Sequence, residues 1–187
     1  MYKNNITNVL CVNDKVTFSY HGGYQSAANL RNFIKNNIYS YLIDKVTIHQ
    51  NNSHMSNEHL AAKRFALLVL NNNNVNDHTT GYLHVVGPKM VMASDIQGLS
   101  FVHDARIVYL RPGEVLKCDF TVAYDCGQNH QKWNPAAAVT FCDNDKNDDK
   151  NEDENYKFSD NNKDENYKFS FELVGMLTID EIMEQIP

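Results

Sequence analysis

From Asp143 to Lys168 the sequence reads "DNDKNDDKNEDENYKFSDNNKDENYK", a stretch that offers a hydrophobic core very little. It is acidic, polar and poor in apolar residues, so burial cannot offset the entropy of ordering it. Within it "NEDENYKFS" at 151–159 returns as "NKDENYKFS" at 162–170, a period of 11 residues. A solenoid needs several stacked repeats, and two copies bury no core. Residues 143–166 are therefore expected to be disordered or a protruding loop. Deleting them should barely change stability, because loop closure costs only about 0.6 kcal/mol per doubling of length. The second "YKFS" is expected to enter a strand, since "FSFELVGML" follows.

The residues before this segment carry alternating and helical periodicities. "NVLCVNDKVTFSY" alternates apolar and polar residues around Val9, Cys11, Val16 and Phe18, and predicts a hairpin turning at Asn13-Asp14. In "YQSAANLRNFIKNNIYSYL", Ala27, Leu30, Ile34, Ile38 and Leu42 fall at helical spacing, with Phe33 and Tyr41 widening the stripe and Ser26 as N-cap. "DKVTIHQN" predicts a strand. "MSNEHLAAKRFALLVL" predicts a second helix capped by Ser56 or Asn57 and running through Leu60, Arg64, Leu67 and Leu68. After the Asn-rich stretch 71–80 come "GYLHVVG", "MVMASDI" and "ARIVYLRPGEVLKCDFTVAYDCG", with "RPGE" as a turn, and then "AAAVTF". At the end, Thr178 with Glu181 forms a capping box for a short last helix.

A chain of 187 residues, 42% hydrophobic, is long enough for one or two domains with a real core. Its 17 Lys and Arg against 23 Asp and Glu, without a basic run, argue against direct nucleic-acid binding by this chain alone. Cys11, Cys118, Cys126 and Cys142 form no C-x-x-C pair, which argues against a zinc ribbon or iron–sulfur cluster and for reduced thiols. No signal peptide is read, and no apolar run approaches the ~18–20 residues of a membrane span. The expected location is the nucleus or cytoplasm, not the secreted space.

The chain has eight histidines, none in an H-x-x-x-H or H-E-x-x-H pattern, so no metal or other cofactor is expected. "HQKW" holds a candidate general base in His130, with no partnered nucleophile nearby, no nucleophile elbow and no phosphate loop. His130 and Trp133 packing a loop against a sheet is favoured over catalysis. Arg31 and Arg64 read equally as snorkelling side chains and as interface anchors.

Four segments, in order, carry a resemblance: "KVTFSYHGGYQSAANLRNFI", "DKVTIHQNNSHMSNEHLAAKRFALLVL", "IVYLRPGEVLKCDFTVAYDCGQNHQKWNPAAAVTF" and "FSFELVGMLTIDEI". With its L-R-P-G and H-x-K-W-x-P strings, the chain resembles the alpha-like assembly subunit of multisubunit DNA-directed RNA polymerases. That family includes the third-largest subunit of eukaryotic polymerase II, its archaeal counterpart and the bacterial alpha amino-terminal domain. The sequence departs from the family pattern at Asn32 in place of an arginine, Lys63 of a histidine, Ala66 of a glycine and Val69 of a proline. It also lacks the eukaryotic zinc-binding cysteines and the family's long dimerisation helix. These departures are read as divergence, truncation or the front half of a fused subunit, and with the Asn bias they suggest a viral source, in which case the virion or viral factory is the expected location.

The resemblance implies an α+β fold with a discontinuous dimerisation domain, 1–50 plus 168–187. The inserted, mostly β domain would be 51–167, with an acidic loop at 143–167. It implies a non-catalytic assembly role in transcription, pairing with a small alpha-like subunit and docking two large catalytic subunits, with DNA reached only through the complex. Leu30, Phe33, Ile34, Ile38 and Tyr41 would form the dimerisation interface, with Phe33, Ile34, Ile38 and Tyr41 incompletely covered in the isolated chain. Arg31, Asn32, Arg64, His130, Lys132 and Trp133 would dock the large subunits. The alternatives are a stand-alone regulatory protein-binding domain and a His-dependent enzyme.

Overall fold

A computed structural model of the protein describes residues 1–71, 75–76, 78–143 and 165–187. The fold is α+β, with antiparallel sheets and short helices. The chain divides into two compact units, Met1–Ile38 with Asn134–Pro187, and Tyr39–Trp133. These boundaries differ from the expected cuts after residues 50 and 167. The reason is strand pairing: residues 39–51 belong to a long ladder within the second unit, and residues 136–143 to a ladder within the first.

The first unit is built on strands β1 (Ile6–Val12), β2 (Lys15–Gly22), β8 (Ala136–Asp143) and β9 (Glu165–Leu173), in the order β1-β2-β9-β8. The β1–β2 hairpin turns at Asn13 and Asp14 as expected. Both have positive φ, 49° and 63°, the backbone of a two-residue turn whose twist matches the strands. β9 occupies the centre of the sheet, so the second "YKFS" is strand, with Tyr167, Phe169 and Phe171 buried. Residues 144–164, which hold most of the acidic segment, lie outside the described residues, while Asp143 and Glu165–Tyr167 at its ends are strand.

Helix α1 (Tyr24–Asn36) packs on β8 and buries Ala27, Leu30 and Ile34. Its N-cap is Gly23 rather than Ser26. Ser26 lies in the first turn, where its hydroxyl bonds to the Tyr20 hydroxyl. The helix stops before the end of the apolar periodicity. Lys35-Asn36-Asn37 are followed by residues that favour extended backbone, and Ile38, Tyr41 and Leu42 lie beyond the helix. α3 (Ile179–Gln185) carries the expected capping box: Thr178 Oγ1 accepts from the Glu181 N–H, and the Glu181 carboxylate accepts from the Thr178 N–H at 2.7 Å. Ile182 is buried in the same core as Phe18, Leu30 and Phe169.

The second unit holds the sheet β3-β7-β4, with β3 at Tyr39–Asn51, β4 at Thr80–Val86 and β7 at Val115–Cys126. A separate two-stranded sheet joins β5 (Lys89–Met92) to β6 (Arg106–Leu110). The "RPGE" turn links strands of different sheets. Pro112 leads it, Gly113 adopts φ +83°, and the Glu114 N–H donates to the Arg111 carbonyl. α2 (Asn57–Lys63) is capped by Ser56, whose hydroxyl accepts from the His59 N–H. It ends at Lys63, and a 3-10 turn, Phe65–Leu67, replaces the expected continuation, burying Phe65 and leaving Leu67 exposed. Among the described residues no helix is long and apolar enough to cross a membrane.

Candidate functional site

The "HQKW" stretch forms a single 3-10 turn, Gln131–Trp133, that packs on β3 and β7. The turn closes locally: the Trp133 N–H donates to the His130 carbonyl, and the Lys132 N–H to His130 Nδ1 at 3.0 Å. A ring nitrogen that accepts carries no proton, so the neutral His130 ring holds its proton on Nε2. His130 is exposed, and its ring contact with the Lys132 N–H serves the turn.

Trp133 is 2% exposed. Its carbonyl accepts from the buried Ser40 hydroxyl at 2.9 Å, which ties the turn to β3. Lys132 lies alongside, with Nζ 4.5 Å from the centroid of the Trp133 ring. The same ammonium donates to the Ile43 carbonyl at 3.1 Å and stands 3.7 Å from Asp44 Oδ1. A cation held between an aromatic face, a carbonyl and a carboxylate is fixed in one geometry. The expectation that Trp133 offers its ring to a partner is corrected: the ring is already covered, and the turn is a packing element of its own unit.

The helical interface positions are corrected likewise. Leu30, Ile34 and Ile38 are 0%, 0% and 1% exposed, so their apolar surface is spent inside the chain. Phe33 is half-buried and packs against Tyr2 at a ring distance of 6.3 Å. Tyr41 sits in β3 of the other unit, 4.6 Å from Tyr124. The five positions therefore do not share one helix face, because the periodicity that joined them crosses the end of α1.

Arg31 is half-buried, and its Nε donates to the Val139 carbonyl at 2.9 Å. Asn32 and Arg64 are exposed. The six expected docking residues thus fall into three groups: one locked turn, one arginine that braces its own unit, and two open polar positions.

A further pair, on β3 and β7, left no sign in the sequence. His49 Nε2 lies 2.6 Å from Asp119 Oδ2, with both side chains about half exposed. They are 70 positions apart, and only the β3–β7 register brings them together. Asp119 also lines a shallow depression of about 560 Å³ with Thr80, Tyr82, Gln97 and Thr121. The hydroxyls there belong to threonines and a tyrosine. The pair therefore has the form of an exposed His–carboxylate hydrogen bond, which contributes little. Cys118, on the buried side of β7, has its thiol pushed up to about 12 by burial and then by the Asp119 charge, so it stays a neutral core group. Among the described residues no three His, Cys, Asp or Glu side chains converge as a metal site requires.

No model of a known protein family matches the chain, and no curated protein matches it.

Proposed function

We propose that this chain is a non-catalytic assembly subunit of a DNA-directed RNA polymerase, pairing with a smaller alpha-like subunit and docking the large catalytic subunits. The observation that carries the reading is the division of the chain. A unit made of both sequence ends, Met1–Ile38 and Asn134–Pro187, is interrupted by a second unit, Tyr39–Trp133. That is the interleaving the resemblance implies, with "LRPGE" inside the insertion and "HQKWNP" at the return from it. The chemistry near His130 agrees with a scaffold role, since its ring accepts from the Lys132 N–H within the turn and the Trp133 ring is buried.

On this reading the discontinuous unit is the dimerisation domain. Asn32 and Arg64 are the docking positions that remain open to a partner, and Phe33 is available in part. Arg31, Lys132 and Trp133 act indirectly, by holding the surfaces that dock.

The test is affinity purification of the tagged chain from its source cells, followed by mass spectrometry. Recovery of two large polymerase subunits and a small alpha-like one is expected, and their absence removes the proposal. In preassembled enzyme, His130→Ala should leave single-nucleotide addition unchanged. A hundredfold loss with assembly intact would make the chain catalytic.

A further inference from the structure

The sheet edges of this protein are guarded unequally. On β4 the outer edge is capped by a reciprocal pair of bonds, in which Tyr82 and Gln97 exchange N–H and carbonyl at 2.9 and 2.8 Å. β3 is interrupted by irregularities after Ile43 and Ile48 and carries Asp44 and Lys45, both exposed. β8 is bulged at Ala138, and the Val139 carbonyl within it is taken by Arg31. These are the devices by which sheets avoid pairing with other chains. β1 carries few of them. It is an edge strand, and from Ile6 to Val12 it holds no charged residue and no proline. One irregularity lies between Thr7 and Leu10, where Asn8 has φ 55°, and past it the strand runs regularly to the turn.

That regular portion exposes apolar side chains. Leu10 is 62% and Val12 65% exposed. They stand on one face of the strand, on either side of Cys11. The register gives the backbone directions. Val12 and Lys15 flank the two-residue turn and form a hydrogen-bonded pair, as do Leu10 and Thr17. The N–H and carbonyl of Cys11 therefore point away from β2, toward the side on which no described strand pairs with β1.

We infer that β1 is a self-association edge: two copies of this chain pair β1 antiparallel about a two-fold axis through Cys11. In that register each Cys11 exchanges its outward N–H and carbonyl with the other copy's Cys11. Each Leu10 falls opposite a Val12 of the second copy, in the closer, non-hydrogen-bonded type of pair. The four exposed apolar side chains then cover one another, which is the complementarity that selects a second copy as the occupant. The formal net charge of −6 opposes association of like chains in general, and β1, which carries no charge, adds no repulsion of its own to this pairing. This edge is independent of the polymerase reading and stands or falls without it.

The test is sedimentation equilibrium of the purified chain, with variants. A reversible monomer–dimer equilibrium is expected at high micromolar concentration. Leu10→Lys with Val12→Lys places like charges across the axis and should weaken the dimer by at least about tenfold, leaving the melting midpoint in place. Cys11→Pro removes the outward N–H without touching the bonds to β2 and should act the same way. In a Cys142→Ser background, a short bis-maleimide should join two chains through Cys11. A strict monomer, an open-ended series of larger species, or a dimer indifferent to the Lys pair and not joined through Cys11 would each overturn the proposal.

Discussion

Arg31 Nε donates a 2.9 Å hydrogen bond to the Val139 carbonyl, binding α1 to β8 across 108 positions of sequence. The bond is available because β8 is irregular. Its register with β9 slips between Ala137 and Thr140, and Ala138 takes φ 52°, so part of the strand departs from the ladder. A helix side chain supplies a donor where the neighbouring strand does not.

Arg31→Met keeps the apolar stem and deletes this donor. A hydrogen bond from a charged group contributes about 1.5–3 kcal/mol, and the half-exposed setting places the loss near the low end. Urea denaturation should show the midpoint falling with the slope unchanged. An unchanged midpoint would mean that water replaces the guanidinium at no cost.

The hairpin turn offers a stabilising change. Asp14 adopts φ 63°, a conformation that costs a non-glycine residue about 1–2 kcal/mol. Asp14→Gly creates the Asn-Gly pair that such turns favour. The greater freedom of glycine in the unfolded chain offsets part of the gain, leaving about 0.5 kcal/mol. Thermal melting should show a small rise, and a fall would mean that the Asp14 side chain contributes more than its backbone costs.

The turn at Trp133 should behave as core. Trp133→Ala is expected to cost about 3–5 kcal/mol, with a clear drop in melting midpoint. Lys132→Met, which retains the stem over the indole but loses the ammonium contacts to Ile43 and Asp44, should cost about 1–2 kcal/mol. A Trp133→Ala chain that melts like the parent would return the ring to the role of an interface anchor.

Asp95 predicts an acid-sensitive contribution. Burial raises its pKa, but the Lys89 ammonium at 2.6 Å and the Met92 N–H at 2.9 Å together outweigh burial and hold it below the usual aspartate value. A carboxyl lowered in the folded state stabilises above its unfolded pKa and ceases to as pH falls through the lower, folded one. Asp95→Asn should therefore cost about 1–2 kcal/mol near neutral pH and flatten the decline of stability toward acid. Parallel pH–stability curves for parent and variant would show that the pair is not linked to folding.

Local patterns determined much of this fold from the sequence alone. The Asn13-Asp14 hairpin and the caps at Ser56 and Thr178 rest on contacts between residues close in the chain. Their energies depend little on what lies elsewhere. Tertiary structure decided the rest. Helical spacing through Ile38, Tyr41 and Leu42 continues unbroken on paper, yet those residues lie outside α1. Tyr39–Ile43 has a partner in Tyr124 and its neighbours on β7 that a lone segment does not reveal. The same pairing takes Tyr41 out of the helix that carries Leu30 and Ile34, and so separates residues that periodicity had placed on one face. Trp133 beside Lys132 looks like an exposed anchor until Ser40, Ile43 and Asp44 close around the turn. His49 and Asp119 become neighbours only through strand register. Periodicity reports which face of a segment is apolar; what covers that face depends on partners many positions away, and only the folded chain supplies them.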